Sequence, residues 1–102
     1  MTAIAERIQL IERMTNDDKL TLRILDKLIR CLADDERRRL APLDQALERF
    51  EQRYRMSTEE FQRRFSLGEL GDDQDFFEWD AIGDMAARLR AKLAMVREAD
   101  LV

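Results

Sequence analysis

Apolar residues in this chain recur every three or four positions almost from end to end, and that spacing constrains the fold more than any other feature. Ile8, Ile11, Leu22, Leu25, Ile29 and Leu32 keep a three-and-four step, with Thr15 and Asp18 filling the same register. Phe76, Trp79, Ile82, Ala86, Leu89, Leu93 and Val96 repeat the step toward the C-terminus. Such steps stack side chains on one face of a helix, whereas a half-buried strand needs strict alternation, which no stretch shows. One proline and three glycines in 102 residues leave few places to interrupt helices. At 45% hydrophobic residues the chain can build a modest core despite 39% charged residues, so general disorder is not expected. The expected fold class is all-α, with a helical hairpin or coiled-coil N-terminal half, then short helices and a long C-terminal helix.

The breaks are less uniform in their signals. Residues 2–14 read as an amphipathic helix with Ile4, Ile8 and Ile11 on one face. At Thr15-Asn16-Asp17-Asp18 two readings stand: a capped turn between antiparallel helices, or a heptad running straight through. From Lys19 to Leu32 the helix is apolar on more than one side, which calls for the C-terminal helix or a second copy as cover. Leu22, Leu25, Ile29 and Leu32 are the expected dimerisation residues. Cys31, the only cysteine, is expected as a small buried apolar side chain. The block Asp34-Asp35-Glu36-Arg37-Arg38-Arg39 suits a solvated helix end with its own ion pairs.

Pro42 lacks an amide donor and disfavours helix at Ala41, so a break is predicted at Leu40 or Ala41. That break divides the chain into an N-terminal helical dimerisation arm, 1–41, and a C-terminal helical partner-binding region, 42–102. The next helix carries Leu43, Leu47, Phe50 and Tyr54 and ends near Arg55. Ser57-Thr58-Glu59-Glu60 has the form of a capping box opening a short helix with Phe61 and Phe65. A loop with Gly68 and Gly71 follows, and Asp72 or Asp73 caps the last helix.

Charge is evenly mixed except in one segment. From Phe65 to Ala87 there are seven acidic residues and no basic one, a net −7, against +3 for the remainder. Mutual repulsion of seven carboxylates works against folding, so the excess points to a cationic partner. The candidate partner-binding residues are Glu69, Asp72, Asp73, Asp75, Phe77, Glu78 and Asp80. Phe76 and Trp79 lie on the apolar stripe and are read as core or anchor residues; Phe77 lies off it. Upstream, Arg53, Arg55, Arg63 and Arg64 flank a tight turn and are possible nucleic-acid contacts, although Glu59 and Glu60 interleave with them.

Catalytic chemistry has little to draw on. With no histidine, one cysteine and no glycine-rich phosphate loop, no nucleophilic pair or nucleotide cradle is present. The acids from Asp73 onward lack the spacing and the glycine of a calcium-binding loop. The chain is therefore expected to be no enzyme, with no catalytic residues, no metal, no cofactor and no small-molecule substrate. No apolar run matches a signal peptide or a membrane span, so a cytoplasmic location is expected.

The run Arg53-Tyr54-Arg55-Met56-Ser57-Thr58-Glu59-Glu60-Phe61, then Phe65, Leu67-Gly68-Glu69-Leu70-Gly71-Asp72-Asp73 and Asp75-Phe76-Phe77-Glu78-Trp79, resembles small antitoxin-like proteins of prokaryotic type II toxin–antitoxin modules. The resemblance spans the last half of the chain. Proteins of this kind often carry glycine where this chain has Arg55. The resemblance implies a non-catalytic protein that binds and neutralises a cognate basic toxin, commonly a ribonuclease, with an N-terminal half that dimerises. Two rival readings are a DNA-binding transcriptional regulator, with operator DNA as partner, and a structural coiled-coil scaffold.

Overall fold

Among the described residues, helices alternate with short connections at which caps sit. A computed structural model describes residues 2–100. Four helices follow one another: α1 (Ala3–Thr15), α2 (Asp18–Tyr54), α3 (Thr58–Ser66) and α4 (Gln74–Glu98). The all-α class is therefore seen directly. The molecule measures 60 × 27 × 19 Å, scarcely longer than the roughly 55 Å expected for the 37 residues of α2 at 1.5 Å each. α2 is the spine. α1 folds back against its start, α3 turns off its end, and α4 returns along it.

The first junction takes the capped-turn reading. Asn16 closes α1 in the left-handed region, with its amide donating to the Glu12 carbonyl. Asp17 opens α2 by accepting from the amides of Lys19 and Leu20. The hydroxyls of Thr15 and Thr21 bond to each other across this corner. The two polar positions in the heptad thus mark the place where one helix ends and the next begins.

At Pro42 the structure corrects the expectation: α2 runs through it without a break at Leu40 or Ala41. A proline inside a helix removes one hydrogen bond, here to the Arg38 carbonyl, and costs about 3 kcal/mol. Arg38, Ala41 and Pro42 all face solvent, so water can reach the orphaned carbonyl. On the opposite face Leu40 and Leu43 pack toward the core, and Asp44 pairs with Arg90 of α4. Anchorage on both sides of the proline outweighs the local preference. Residue 41 consequently lies within an uninterrupted helix shared by the regions 1–41 and 42–102.

The core sits at one end, where α2, α3 and α4 meet. Leu47, Phe61, Trp79 and Ala86 are its buried members, with Leu43, Phe50, Tyr54, Phe65, Phe76 and Ile82 packed around them. Trp79 and Phe61 are fully buried. Their rings stack at a centroid distance of 3.9 Å, and Phe50 and Tyr54 stack on Trp79 from α2. The indole N–H donates to Thr58 Oγ1 at 3.1 Å, so the largest core residue leaves no polar atom stranded.

Candidate functional site

The acidic segment enters the structure through helix caps. α2 ends at Arg55, whose φ of 55° and ψ of 45° put it in the left-handed region where glycine is more usual. That geometry allows a turn of three residues before α3. Ser57 Oγ accepts from the Glu60 amide, which is half of the expected capping box. The other half is replaced. The Glu60 carboxylate turns to Arg63 and Arg64, while Glu51 of α2 accepts from both the amide and the hydroxyl of Thr58. A chain of hydrogen bonds then runs from Trp79 through Thr58 to Glu51, tying α4 to α3 to α2. Beyond α3, Gly68 takes a φ of 73°, and Asp73 caps α4 by accepting from the Asp75 amide.

Helical geometry splits the four carboxylates of this segment that lie on α4 between faces. Asp75 and Glu78, three residues apart, turn toward α2 and line a groove with Arg49 and Arg53. Asp75 lacks a basic neighbour in sequence, yet it accepts from Arg53 at 2.9 Å and from the Tyr54 hydroxyl at 2.6 Å. The Tyr54 hydrogen bond, reinforced by the Arg53 guanidinium, holds the Asp75 carboxyl below its ordinary range. The same bond raises the Tyr54 phenol, because it is donated by the protonated form. Of the candidate partner-binding acids, Asp75 and Asp73 thus already serve the fold.

This latch has a pH signature. A carboxylate whose folded pKa is depressed contributes stability above its unfolded pKa and loses it as pH falls through the folded value. Asp75→Asn is expected to lower the melting midpoint at neutral pH and to differ little from the parent once pH drops below the carboxylate range. Melting curves of the two proteins that stay parallel from pH 7 to acid would show that Asp75 is not the titrating group.

Phe77, Asp80 and Asp84 follow i, i+3, i+7 and share the other face of α4. Phe77 is 57% exposed, and its ring meets Phe65 edge-on at 5.3 Å. Gln62 of α3 donates to the Asp80 carbonyl, the Asp80 carboxylate and the Asp84 carboxylate. The same Gln62 lines a groove of about 620 Å³ between α2, α3 and α4, with Asp44, Glu48, Glu51, Glu59 and Arg90 as its charged residues and Leu47, Gly83 and Ala87 as its apolar ones. Asp44, Glu48 and Glu51 reach it at i, i+4, i+7 along α2. Sequence reasoning missed them because arginines interleave with them in order, although not on that face.

The remaining candidates are placed as follows. Glu69, Asp72 and Glu78 are exposed, and Leu67 beside them is 62% exposed. Phe76 is half-buried against Tyr54 and Phe61. Of the possible nucleic-acid contacts, Arg53 is paired with Asp75, and Arg63 and Arg64 with Glu60. Arg55 is exposed at the turn. Three of the four are thus ion-paired. Cys31 is exposed, not buried as expected, because the core-facing stripe of α2 passes through Ile29 and Ala33 and leaves residue 31 outside it. Leu25 and Ile29 are half-buried, whereas Leu22 and Leu32 are 59% exposed.

Among the described residues, no cluster of three or more His, Cys, Asp or Glu could hold a metal ion. No helix among them is long and apolar enough to cross a membrane. No protein-family model, curated protein or solved structure matches the chain significantly.

Proposed function

We propose that the chain is a non-catalytic binding protein of the antitoxin kind, and that it captures a basic protein partner on the face shared by α3 and α4. The observation that carries this reading is an exposed aromatic, Phe77, followed at i+3 and i+7 by Asp80 and Asp84, which Gln62 joins to the acidic groove it lines. A large apolar side chain in water is costly to leave open and makes an effective anchor when a partner covers it. Asp80, Asp84, Glu59 and Glu48 set up a negative potential that draws a cationic surface in and fixes its register. A toxin that cleaves RNA presents cationic side chains where phosphates bind, and an acidic groove can occupy that position as a mimic. Glu69 and Asp72 extend the same potential around the tip. The partner is then the product of a neighbouring gene, acting in the cytoplasm.

Binding to that gene product by titration calorimetry and stopped-flow mixing tests the proposal. Phe77→Ala is expected to weaken binding at least tenfold without moving the melting midpoint by more than a few degrees, because the side chain is mostly in solvent. Glu48→Gln with Glu59→Gln is expected to slow association and to flatten its dependence on salt. These two carboxylates are exposed, so the pair of changes leaves the fold intact. A neighbouring product that does not bind, or one that binds both variants as fast and as tightly as the parent, rejects this reading.

A further inference from the structure

α4 carries two unlike grooves along its seam with α2. At about 100° per residue, Gly83, Ala87 and Arg90, which line the acidic groove, point roughly opposite to Met85, Arg88 and Lys92 around the helix. On that second side Leu43, Met85 and Leu89 lie between Arg39, Arg88 and Lys92 in a groove of about 340 Å³. Lys92 also borders an apolar groove of about 250 Å³ formed by Ile29, Leu32, Ala33, Leu93 and Val96. Through Lys92 the two form one apolar seam, reaching along α2 from Ile29 to Leu43. Its length is about 21 Å at 1.5 Å per residue. Leu32 and Met85 are 59% and 43% exposed on it.

Charge decides what fits. Arg39, Arg88 and Lys92 give the seam +3 against the −1 of Glu36, a net +2 in a chain of net −4. Glu36 is turned inward: its Oε2 is buried, and its Oε1 meets Arg39 at 3.6 Å and Lys92 at 3.8 Å. The Arg88 guanidinium is exposed and has no ion pair among the described residues. The acidic groove lies across α4, a helix diameter of about 10 Å away. That exceeds the Debye length of about 8 Å at physiological salt, so its carboxylates do little to repel a negative partner here. A second copy of this chain is disfavoured, because a two-fold axis would set +2 against +2. An extended segment is disfavoured too, since every described element is a helix and offers no strand edge to pair its backbone. Two helices side by side instead leave a groove that the ridges of a third helix fill.

We propose that this seam is a docking site for an amphipathic helix of a protein partner, about four turns long, whose apolar stripe is flanked by carboxylates that meet Arg39, Arg88 and Lys92. The site is separate from the acidic groove and does not rest on the antitoxin reading.

The probe that tests it is a fluorescein-labelled synthetic helix of about four turns, with leucine at i, i+3, i+4 and i+7 and glutamate on both flanks. The same peptide with lysine in place of glutamate is the charge control. Fluorescence anisotropy with the full chain is expected to show the glutamate peptide bound at least tenfold more tightly than the lysine one. Arg88→Glu is expected to lower that affinity at least tenfold, and Arg88→Gln by less. Both variants should keep a melting midpoint within a few degrees of the parent, because the guanidinium holds no ion pair in the fold. Arg7→Glu makes the same change in net charge at an exposed position of α1 and is expected to bind as the parent does. The proposal is overturned by equal binding of the two peptides, by an Arg88→Glu variant that binds as tightly as the parent, or by an equal loss in Arg7→Glu. A parent chain that ignores the peptide but binds phosphatidylglycerol vesicles through Arg88 has a lipid site there. One whose sedimented mass changes with Arg88→Glu is covered by a second copy. Either of these results overturns the proposal as well.

Discussion

Trp79→Ala is expected to destabilise the protein by about 3–5 kcal/mol, the range for removing a buried large aromatic. The indole is fully buried and touches all three helices of the core. It stacks on Phe61 of α3 and on Phe50 and Tyr54 of α2, and it donates to Thr58. A hole of that size cannot collapse, because Phe61 and Phe50 are held from opposite sides. For a chain of this length each kcal/mol moves the melting midpoint by roughly 4–8 °C, so a fall of about 12 °C or more is expected. Trp79→Phe retains most of the stacking and loses the hydrogen bond, and its loss should be well under half as large. Thermal denaturation at fixed protein concentration decides the matter. A Trp79→Ala midpoint within a few degrees of the parent would mean that the stack contributes little.

Gly83 sets the distance between α3 and α4, and its enlargement is the second large effect. A Cβ built there would stand 2.6 Å from Gln62 Nε2 and 3.2 Å from Thr58 Cγ2. Alanine needs only Gln62 to swing away, at the cost of its bonds to Asp80 and Asp84. That loss is offset by the roughly 1 kcal/mol that alanine gains over glycine within a helix. Gly83→Ala is therefore expected to lie within about 1 kcal/mol of the parent. Leucine has no such escape. It must push Thr58, which holds both Trp79 and Glu51, so Gly83→Leu is expected to cost about 3 kcal/mol, at the upper end of overpacking. Urea denaturation of both variants measures the contrast. Equal stabilities for the two would show that the helices part without resistance.

Periodicity made most of the fold legible. The α4 stripe from Phe76 to Val96 and the caps at Ser57 and Asp73 depend on rules that act within a few residues, whereas at Thr15-Asn16-Asp17-Asp18 the same rules left a capped turn and a continuous heptad both open. Pro42 was misread because a local rule met distant support: Leu40, Leu43 and the Asp44–Arg90 pair hold the helix across it, and no local window contains Arg90. Cys31 was misread by trusting apolar neighbours in order rather than their angle around the helix. The candidate site was half legible. The net charge near Phe77 was plain, but the latch of Asp75 to Arg53 and Tyr54 spans more than twenty residues. Gly83 drew no notice either, since a small residue between Ile82 and Ala86 looks like part of a stripe. Its role depends on a Gln62 that only the folded chain brings to it.

The order in which these helices can assemble follows from how far apart in the chain their contacts lie. The Thr15–Thr21 corner closes a loop of six residues, and the Trp79–Thr58 bond one of twenty-one. The last turns of α4 reach back much further, with Arg90 meeting Asp44 across forty-six residues. Loop closure becomes more costly with length, and contacts between distant segments form late. The corner and the aromatic cluster can therefore nucleate independently at the two ends of α2, before that helix is complete between them. The return of α4 along the spine as far as Ile29 is expected to come last, and on the way out to be undone first. Disassembly is therefore expected to start at Val96 and Leu93 and to end at Trp79.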